Sequence, residues 1–360
     1  MADLPDATVH PRDDRVGGAP GLPSVIAHRG ASGLRPEHSR AAYELAVALG
    51  ADAIEPDIVP TRDGVLVLRH ENEISGTTDV AAHPEFAHLR TTKTIEAQTL
   101  TGWFTEDFTW SELATLRVRE RLPGLRPGSA AHDGEQPIMR LGDLLGVLDA
   151  APRPVGLVAE IKHATYFDRA GFPLDDLVDG VLGEHGWRGD PRLTFESFEK
   201  QVLRDLVARG TGGRSVYLME ARGAAADEVA VHGGAAPTYA AERTEASLAA
   251  LASSFDGISL AVRTVMAGVD SVAPDTVGPL RSDIVERAHA VGLLVYTWTL
   301  RPENRFLPGP LRRGGEVAAH GDWERWFGSV MRTGVDGVFA DHPDLAIAAR
   351  AGLSGVGGRA

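Results

Sequence analysis

A short apolar run followed by a helix-length segment recurs along the chain. The apolar runs are Ser24–His28, Ala53–Asp57, Gly156–Ile161, Leu193–Ser197, Ser215–Met219, Gly257–Leu260, Leu293–Thr297 and Gly337–Ala340. Helix-like stretches lie between or after them: Ser39–Leu49, Leu141–Asp149, Leu174–His185, Phe198–Arg209, Ala241–Ser253, Ser282–Ala290, Trp323–Arg332 and Pro343–Ala351. Parallel strands need a long crossover between them, usually a helix, so this alternation predicts an α/β chain with a parallel sheet. Eight such units match a TIM (β/α)8 barrel, which takes about 250 residues.

One further strand-like run, Val65–His70, follows Thr61-Arg62-Asp63-Gly64. Asp-Gly is a turn signal. The run therefore reads as the return arm of a β-hairpin outcrop growing from the second strand. Folding back around Asp63-Gly64 brings His70 roughly opposite Pro56.

Residues 71–137 interrupt the alternation. They carry Gly-Trp-Phe-Thr-Glu-Asp-Phe (102–108) and one helix-like stretch, Trp110–Arg119. Long excursions of this kind are uncommon and often functional. We read this one as an inserted subdomain at the C-terminal mouth of the barrel. Trp103 could cap the mouth or anchor the insertion. Residues 1–23 are polar and rich in Pro and Gly and read as a disordered arm. Residues 24–349 read as the barrel, and 350–360 as a flexible tail.

The 360 residues carry a net charge of −14 and no cysteine. Disulfides, thiolate metal sites and thiol nucleophiles are excluded. The overall charge does not favour nucleic acid, and an anionic substrate needs a local positive site. No apolar run is long enough to span a membrane, so no stable membrane association is expected. Residues 1–23 lack the charged start and apolar core of a secretion signal, which makes cytoplasmic the default expectation.

In a TIM barrel, chemistry sits where the strands end. His28-Arg29, Glu55/Asp57, Glu160/Lys162, Glu196 and Trp298 all stand at or near the ends of expected strands. Glu55 and Asp57 are two apart, so both face one way on a strand. With Glu160 they form a sulfur-free carboxylate set that suits Ca²⁺ or Mg²⁺; taken singly, each could equally be a solvated acid. His28 could move a proton near neutral pH or serve as a structural hydrogen-bonder. Arg29 offers a planar fork to phosphate oxygens or an ordinary salt bridge. Lys162 could add a second cation or lie on the surface. Trp298 could stack on a substrate or pack in the core. Asp341 precedes His342-Pro343 and reads most simply as a helix N-cap. No dinucleotide, Walker, Gly-x-Ser-x-Gly or His-Glu-x-x-His signature occurs.

At these residues the chain resembles the glycerophosphodiester phosphodiesterases. The motifs are His28-Arg29-Gly30-Ala31-Ser32-Gly33, Pro36-Glu37-His38-Ser39, Gly50-Ala51-Asp52-Ala53-Ile54-Glu55-Pro56-Asp57 and Thr61–Gly64 followed by His70. Glu160-Ile161-Lys162, Phe195–Phe198, Tyr296–Thr299 and Gly334–Asp341 continue the series, and the insertion looks like that of longer bacterial members. The resemblance implies hydrolysis of glycerophosphodiesters to sn-glycerol 3-phosphate and an alcohol. By it, His28 and His70 are the acid/base pair, and Glu55, Asp57 and Glu160 hold one Ca²⁺ or Mg²⁺ ion. Arg29 and Lys162 hold the phosphate, and Trp298 faces the glycerol. Two departures stand out: Glu71 replaces the usual Asp after the second histidine, and His38-Ser39 replace Asn-Thr. A phospholipase or lyase on the same barrel, and a catalytically silent binding protein, are the alternative readings.

Overall fold

The computed structural model describes residues 21–266 and 282–354. Twelve strands are present among them: β1 (Ser24–His28), β2 (Ala53–Glu55), β3 (Asp57–Pro60), β4 (Leu66–Leu68), β5 (Thr91–Ile95), β6 (Gln98–Gly102), β7 (Gly156–Ile161), β8 (Leu193–Ser197), β9 (Arg214–Met219), β10 (Gly257–Ala261), β11 (Leu294–Leu300) and β12 (Gly337–Ala340). The parallel order β2-β1-β12-β11-β10-β9-β8-β7 closes on itself through β2 and β7. This is the expected eight-stranded barrel, with the hairpin and the insertion outside the ring.

Alternation along the strands separates two cores. Ile26, Ala53, Val158, Val216, Tyr296 and Phe339 form a cluster of their own that plugs the barrel. Their neighbours in sequence, such as Val25, Ala27, Leu157 and Val338, join the larger core between strands and helices. Strand side chains repeat every two residues. Two steps beyond the plug, toward the strand C-termini, stand His28, Glu55, Glu160, Leu218, Trp298 and Asp341. The strand period that builds the core thus also delivers most of the polar mouth.

The second strand is not continuous, as the reading Ala53–Asp57 had it. It divides at Pro56, which has no N–H to give a ladder. Below the break β2 pairs with β1, ending at His28↔Glu55. Above it β3 pairs with β7 through Asp57↔Glu160 and takes β4 as an antiparallel neighbour. The hairpin register runs Pro60↔Leu66, Val59↔Val67, Ile58↔Leu68. Continued, it sets His70 level with Pro56, as expected.

Two local features fix the mouth after β1. Gly30 has φ +84°, and a Cβ there would meet the Ala42 backbone at 2.8 Å. Only glycine lets the helix Arg40–Leu49 lie this close. Ser39 caps that helix, its side chain accepting from the Ala42 N–H.

Most of the insertion's buried apolar residues join the larger core. Ile74, Val80, Phe86, Phe104, Phe108, Leu113 and Leu116 are buried. Trp103 donates its indole N–H to the Phe86 carbonyl at 2.7 Å, so it anchors the insertion. The stretch Trp110–Arg119 is helical only over Trp110–Leu113. Beyond it the backbone of 117–119 bonds to Asp79, Gln136 and Thr77 instead. Likewise Ala241–Ser253 divides into Tyr239–Glu242 and Glu245–Leu251, because Thr244 caps the second helix. The last helix runs from Pro343 to Ser354, into the stretch expected to be tail. The expected arm lies mostly outside the described residues, as do residues 355–360. No helix among the described residues is long and apolar enough to cross a membrane.

Candidate active site

A cavity of about 430 Å³ opens at the C-terminal ends of the barrel strands. His28, Arg29, Glu55, His70, Glu160, Lys162, Glu196 and Trp298 line it. Seven of the eight residues expected from sequence are therefore in one place. The eighth, Asp57, lies directly beneath, fully buried. The tip of the β5–β6 hairpin closes one side with Glu96 and Gln98, Glu96 being tied to His163 at 2.7 Å.

Glu55, Asp57 and Glu160 are the one cluster among the described residues able to hold a metal ion, with one ligand atom of each within 4.8 Å of the others. The set fits a hard divalent cation on a physical test. Glu55 Oε1 and Asp57 Oδ1 are buried and accept no hydrogen bond, as is Glu196 Oε2 beside them. Buried carboxylate oxygens left bare are costly without a compensating charge. Burial, followed by the Asp57, Glu160 and Glu196 charges, pushes Glu55 well above the usual carboxylate range. Burial also raises Glu160, to about 8, against the pull of Lys162. Burial, with Glu160 and Asp57 nearby, raises Glu196. Asp57 goes the other way. Burial opposes ionisation, but His70, Lys162 and Arg29 overcome it and hold Asp57 well below the usual range.

Two cations lie against this acidic floor. Arg29 Nε is 3.2 Å from Asp57 Oδ2, and Lys162 Nζ is 2.7 Å from Glu160 Oε1. Beneath them His38 Nε2 lies 2.9 Å from Asp57 Oδ2, and its Nδ1 2.7 Å from the Tyr43 hydroxyl. An ionised Asp57 only accepts, so Nε2 donates and Nδ1 accepts from Tyr43. His38 thus holds the Asp57 carboxylate.

The two cavity histidines are built alike. His28 Nδ1 is 2.6 Å from Asp341 Oδ1, and His70 Nδ1 is 2.5 Å from Glu71 Oε1. Both carboxylates are held below their usual range against burial: Asp341 by Arg301, Arg126 and His28, and Glu71 by His70 and Arg121. Ionised carboxylates accept, so each Nδ1 carries the proton and each Nε2 keeps its lone pair. Burial first, then Arg29, lowers His28 to about 4. Burial, Arg29 and Lys162 lower His70 to about 3.

Asp341 is not the N-cap that its place before His342-Pro343 suggested. Its side chain takes His28, Arg126 and Arg301. The signal that could have found it is its position two residues after the plug residue Phe339. Glu196 stands beside the carboxylate cluster. Trp298 lines the cavity and packs edge-on against Phe198, ring centroids 5.7 Å apart.

Known proteins share this plan. A solved structure from Silicibacter pomeroyi superposes with a TM-score of 0.64 at 23% identity, covering 95% of this chain and 97% of that one. An Oleispira antarctica phosphodiesterase, solved with the product sn-glycerol-3-phosphate, gives a TM-score of 0.57 at 20% identity, covering 91% and 96%. These show a common fold. Glycerophosphodiester phosphodiesterase GDPD6 of Arabidopsis thaliana is 30% identical over 334 residues, 89% of this chain and 83% of that protein. A glycerophosphodiester phosphodiesterase of Haemophilus influenzae is 36% identical over 196 residues, half of each chain. The family model described as the glycerophosphoryl diester phosphodiesterase family matches residues 28–345, and the chain belongs to that family.

Proposed function

We propose that this protein hydrolyses glycerophosphodiesters to sn-glycerol 3-phosphate and an alcohol, with His28 and His70 as the acid/base pair. One observation carries the reading: two imidazoles face one cavity, each with Nδ1 on a carboxylate, above a buried carboxylate cluster. Family membership and the product bound by the Oleispira relative support the substrate class.

Glu55, Asp57 and Glu160 would hold one divalent cation, Ca²⁺ or Mg²⁺, as all-oxygen donors do. Bound there, it would supply Lewis-acid stabilisation of charge on the phosphoryl oxygens. Arg29 and Lys162 bind the phosphate from the protein side. Trp298 offers its ring to the glycerol and an indole N–H that has no partner in the fold. One Nε2 takes the proton of the neighbouring glycerol hydroxyl as its oxygen bonds phosphorus, giving a cyclic phosphate that water then opens to sn-glycerol 3-phosphate. The other nitrogen delivers a proton to the leaving alcohol oxygen as the P–O bond breaks. In the free protein both imidazoles favour the neutral form. The phosphodiester's charge offsets Arg29 and Lys162 and so raises the histidine that must act as acid.

Release of sn-glycerol 3-phosphate from several glycerophosphodiesters, with chelator and with each metal, tests the reading. We expect release that chelation abolishes, and that His28→Ala or His70→Ala each lowers by about 10²–10⁴-fold. Near wild-type turnover in either variant would sink the acid/base assignment. Full activity after exhaustive chelation would sink the metal assignment.

A further inference from the structure

The loop 121–126 of the insertion reaches both sides of the cavity. Arg121 is bidentate to two carboxylates at once. Its Nε and Nη2 bond Glu37 at 2.8 and 2.6 Å, and its Nη1 and Nη2 bond Glu71 at 2.9 and 2.6 Å. Glu71 holds His70, and Glu37 holds Arg29 through a 3.1 Å bond. Arg126 does the matching task across the mouth. Its Nη2 lies 2.6 Å from Asp341 Oδ2, its Nε 2.7 Å from Glu303 Oε1, and its Nη1 3.3 Å from the Ser32 carbonyl. Asp341 holds His28. Neither guanidinium lines the cavity.

We propose that Arg121 and Arg126 are positioning residues that set His70 and His28, and that delivering them is a function of the insertion. The proposal rests on reading those histidines as the acid/base pair. An imidazole fixed by a single carboxylate can swing with it. Arg121 forks onto both oxygens of Glu71 and holds them in one plane, and Arg126, tied at its other edge to Glu303, fixes Asp341 Oδ2 beside Arg301, which removes that freedom. The loop that carries the two arginines is itself braced. Leu125 and Arg126 donate to the Leu122 carbonyl, and Glu120 accepts from the Leu122 N–H at 2.7 Å and from Ser129 Oγ. A misplacement of about 1 Å in a reacting group can cost about 10²-fold in rate. Two side chains five positions apart thus govern the aim of both proton-transfer groups.

The test is steady-state kinetics on glycerophosphocholine in the metal-loaded full chain, alongside thermal melting. Arg126→Gln isolates the imidazole, because Arg126 touches no phosphate-binding group. We expect its kcat to fall about 10–100-fold with KM unchanged. Asp341→Asn/Arg126→Gln should be no slower than Asp341→Asn alone, because the arginine acts through that carboxylate. Arg121→Gln should lower kcat and also raise KM, since it frees Glu37 and so Arg29. Arg121→Lys keeps the charge without the fork; it should recover the fold but not the full kcat, and carries the test if Arg121→Gln does not fold. Wild-type kcat in Arg126→Gln and Arg121→Lys, or losses that simply multiply in the double variant, would overturn the proposal. If those variants are unaffected while His28→Ala and His70→Ala are dead, only the positioning role fails. If the histidine variants are active, the acid/base reading itself fails.

Discussion

Asp341 and His28 are 313 residues apart in sequence and 2.6 Å apart in the fold. They stand at the C-terminal ends of β12 and β1, which pair in parallel from Ser24↔Gly337 to Ala27↔Ala340. Asp341 gives His28 its tautomer as well as its place, because an ionised carboxylate can only accept the Nδ1 proton. Asp341→Asn removes that constraint, since an amide can also donate. We expect kcat to drop by about 10²–10⁴-fold and the melting temperature to fall as well, because Arg126 and Arg301 lose a buried charged partner. Initial-rate measurements across substrate concentration check this.

The free imidazoles should be neutral throughout the physiological range. His28 is lowered to about 4 and His70 to about 3, first by burial and then by nearby cations. Binding sn-glycerol 3-phosphate adds negative charge beside Arg29 and Lys162, which favours the protonated ring. NMR titration should therefore show two histidines that do not protonate between about pH 5 and 8 in the free protein, and at least one raised by the ligand. Titration of both near 6.5 without ligand would contradict the environment described.

The carboxylate floor should make the metal-free protein less stable as pH rises. Glu160 is raised from 4.5 to about 8, so its protonated form is the one the fold favours. A group raised in the folded state contributes its stability below its unfolded value and loses it as pH climbs through the folded one. Glu55 and Glu196 shift the same way. Below about pH 6.5 the lowered His28 and His70 act the opposite way, so chelated protein should lose melting temperature between about pH 6.5 and 8. Added Ca²⁺ or Mg²⁺ should restore it. Melting curves across pH, with and without metal, decide.

Glu196→Gln separates crowding from ligation. It removes one negative charge from beside Glu160 and Asp57. The chelated variant should melt higher than the wild type, and bind a divalent cation less tightly. Calorimetric titration with Ca²⁺ and Mg²⁺ reads the second effect, and melting the first.

Gly30→Ala tests the packing under the first histidine. A Cβ at φ +84° meets Ala42 backbone atoms at 2.8–2.9 Å, which backbone cannot easily relieve. The combined strain and overpacking should cost about 2–4 kcal/mol. Denaturant unfolding measures it.

Much of the barrel was legible because its information is local. Apolar runs, turn residues and the two-residue period name the strands, and the Asp63-Gly64 turn alone places His70. The break at Pro56 was also written in the sequence, as a proline inside an apolar run. What was not legible is held by contacts without a local pattern. Arg121 meets Glu37 across 84 residues, and Arg126 meets Asp341 across 215. An isolated arginine in a polar insertion looks like solvated surface, and only the fold gives it carboxylates. Asp341 was misread for the opposite reason. A local rule, Asp before a proline-started helix, pointed elsewhere, and long-range charge pairing won.

The hairpin register has a consequence for chain length. Between Pro60 and Leu66 the chain turns through Thr61–Val65, and the pairing beyond it fixes which side of β4's extension His70 occupies. A one-residue slip of that pairing would send the imidazole to the opposite side. Buried Leu66, Val67 and Leu68 oppose such a slip, so a residue added within Thr61–Val65 is taken up by the turn. The position of His70 is thereby insulated from the length of the loop before it, and turn variants one or two residues longer should keep activity, whatever residues they carry.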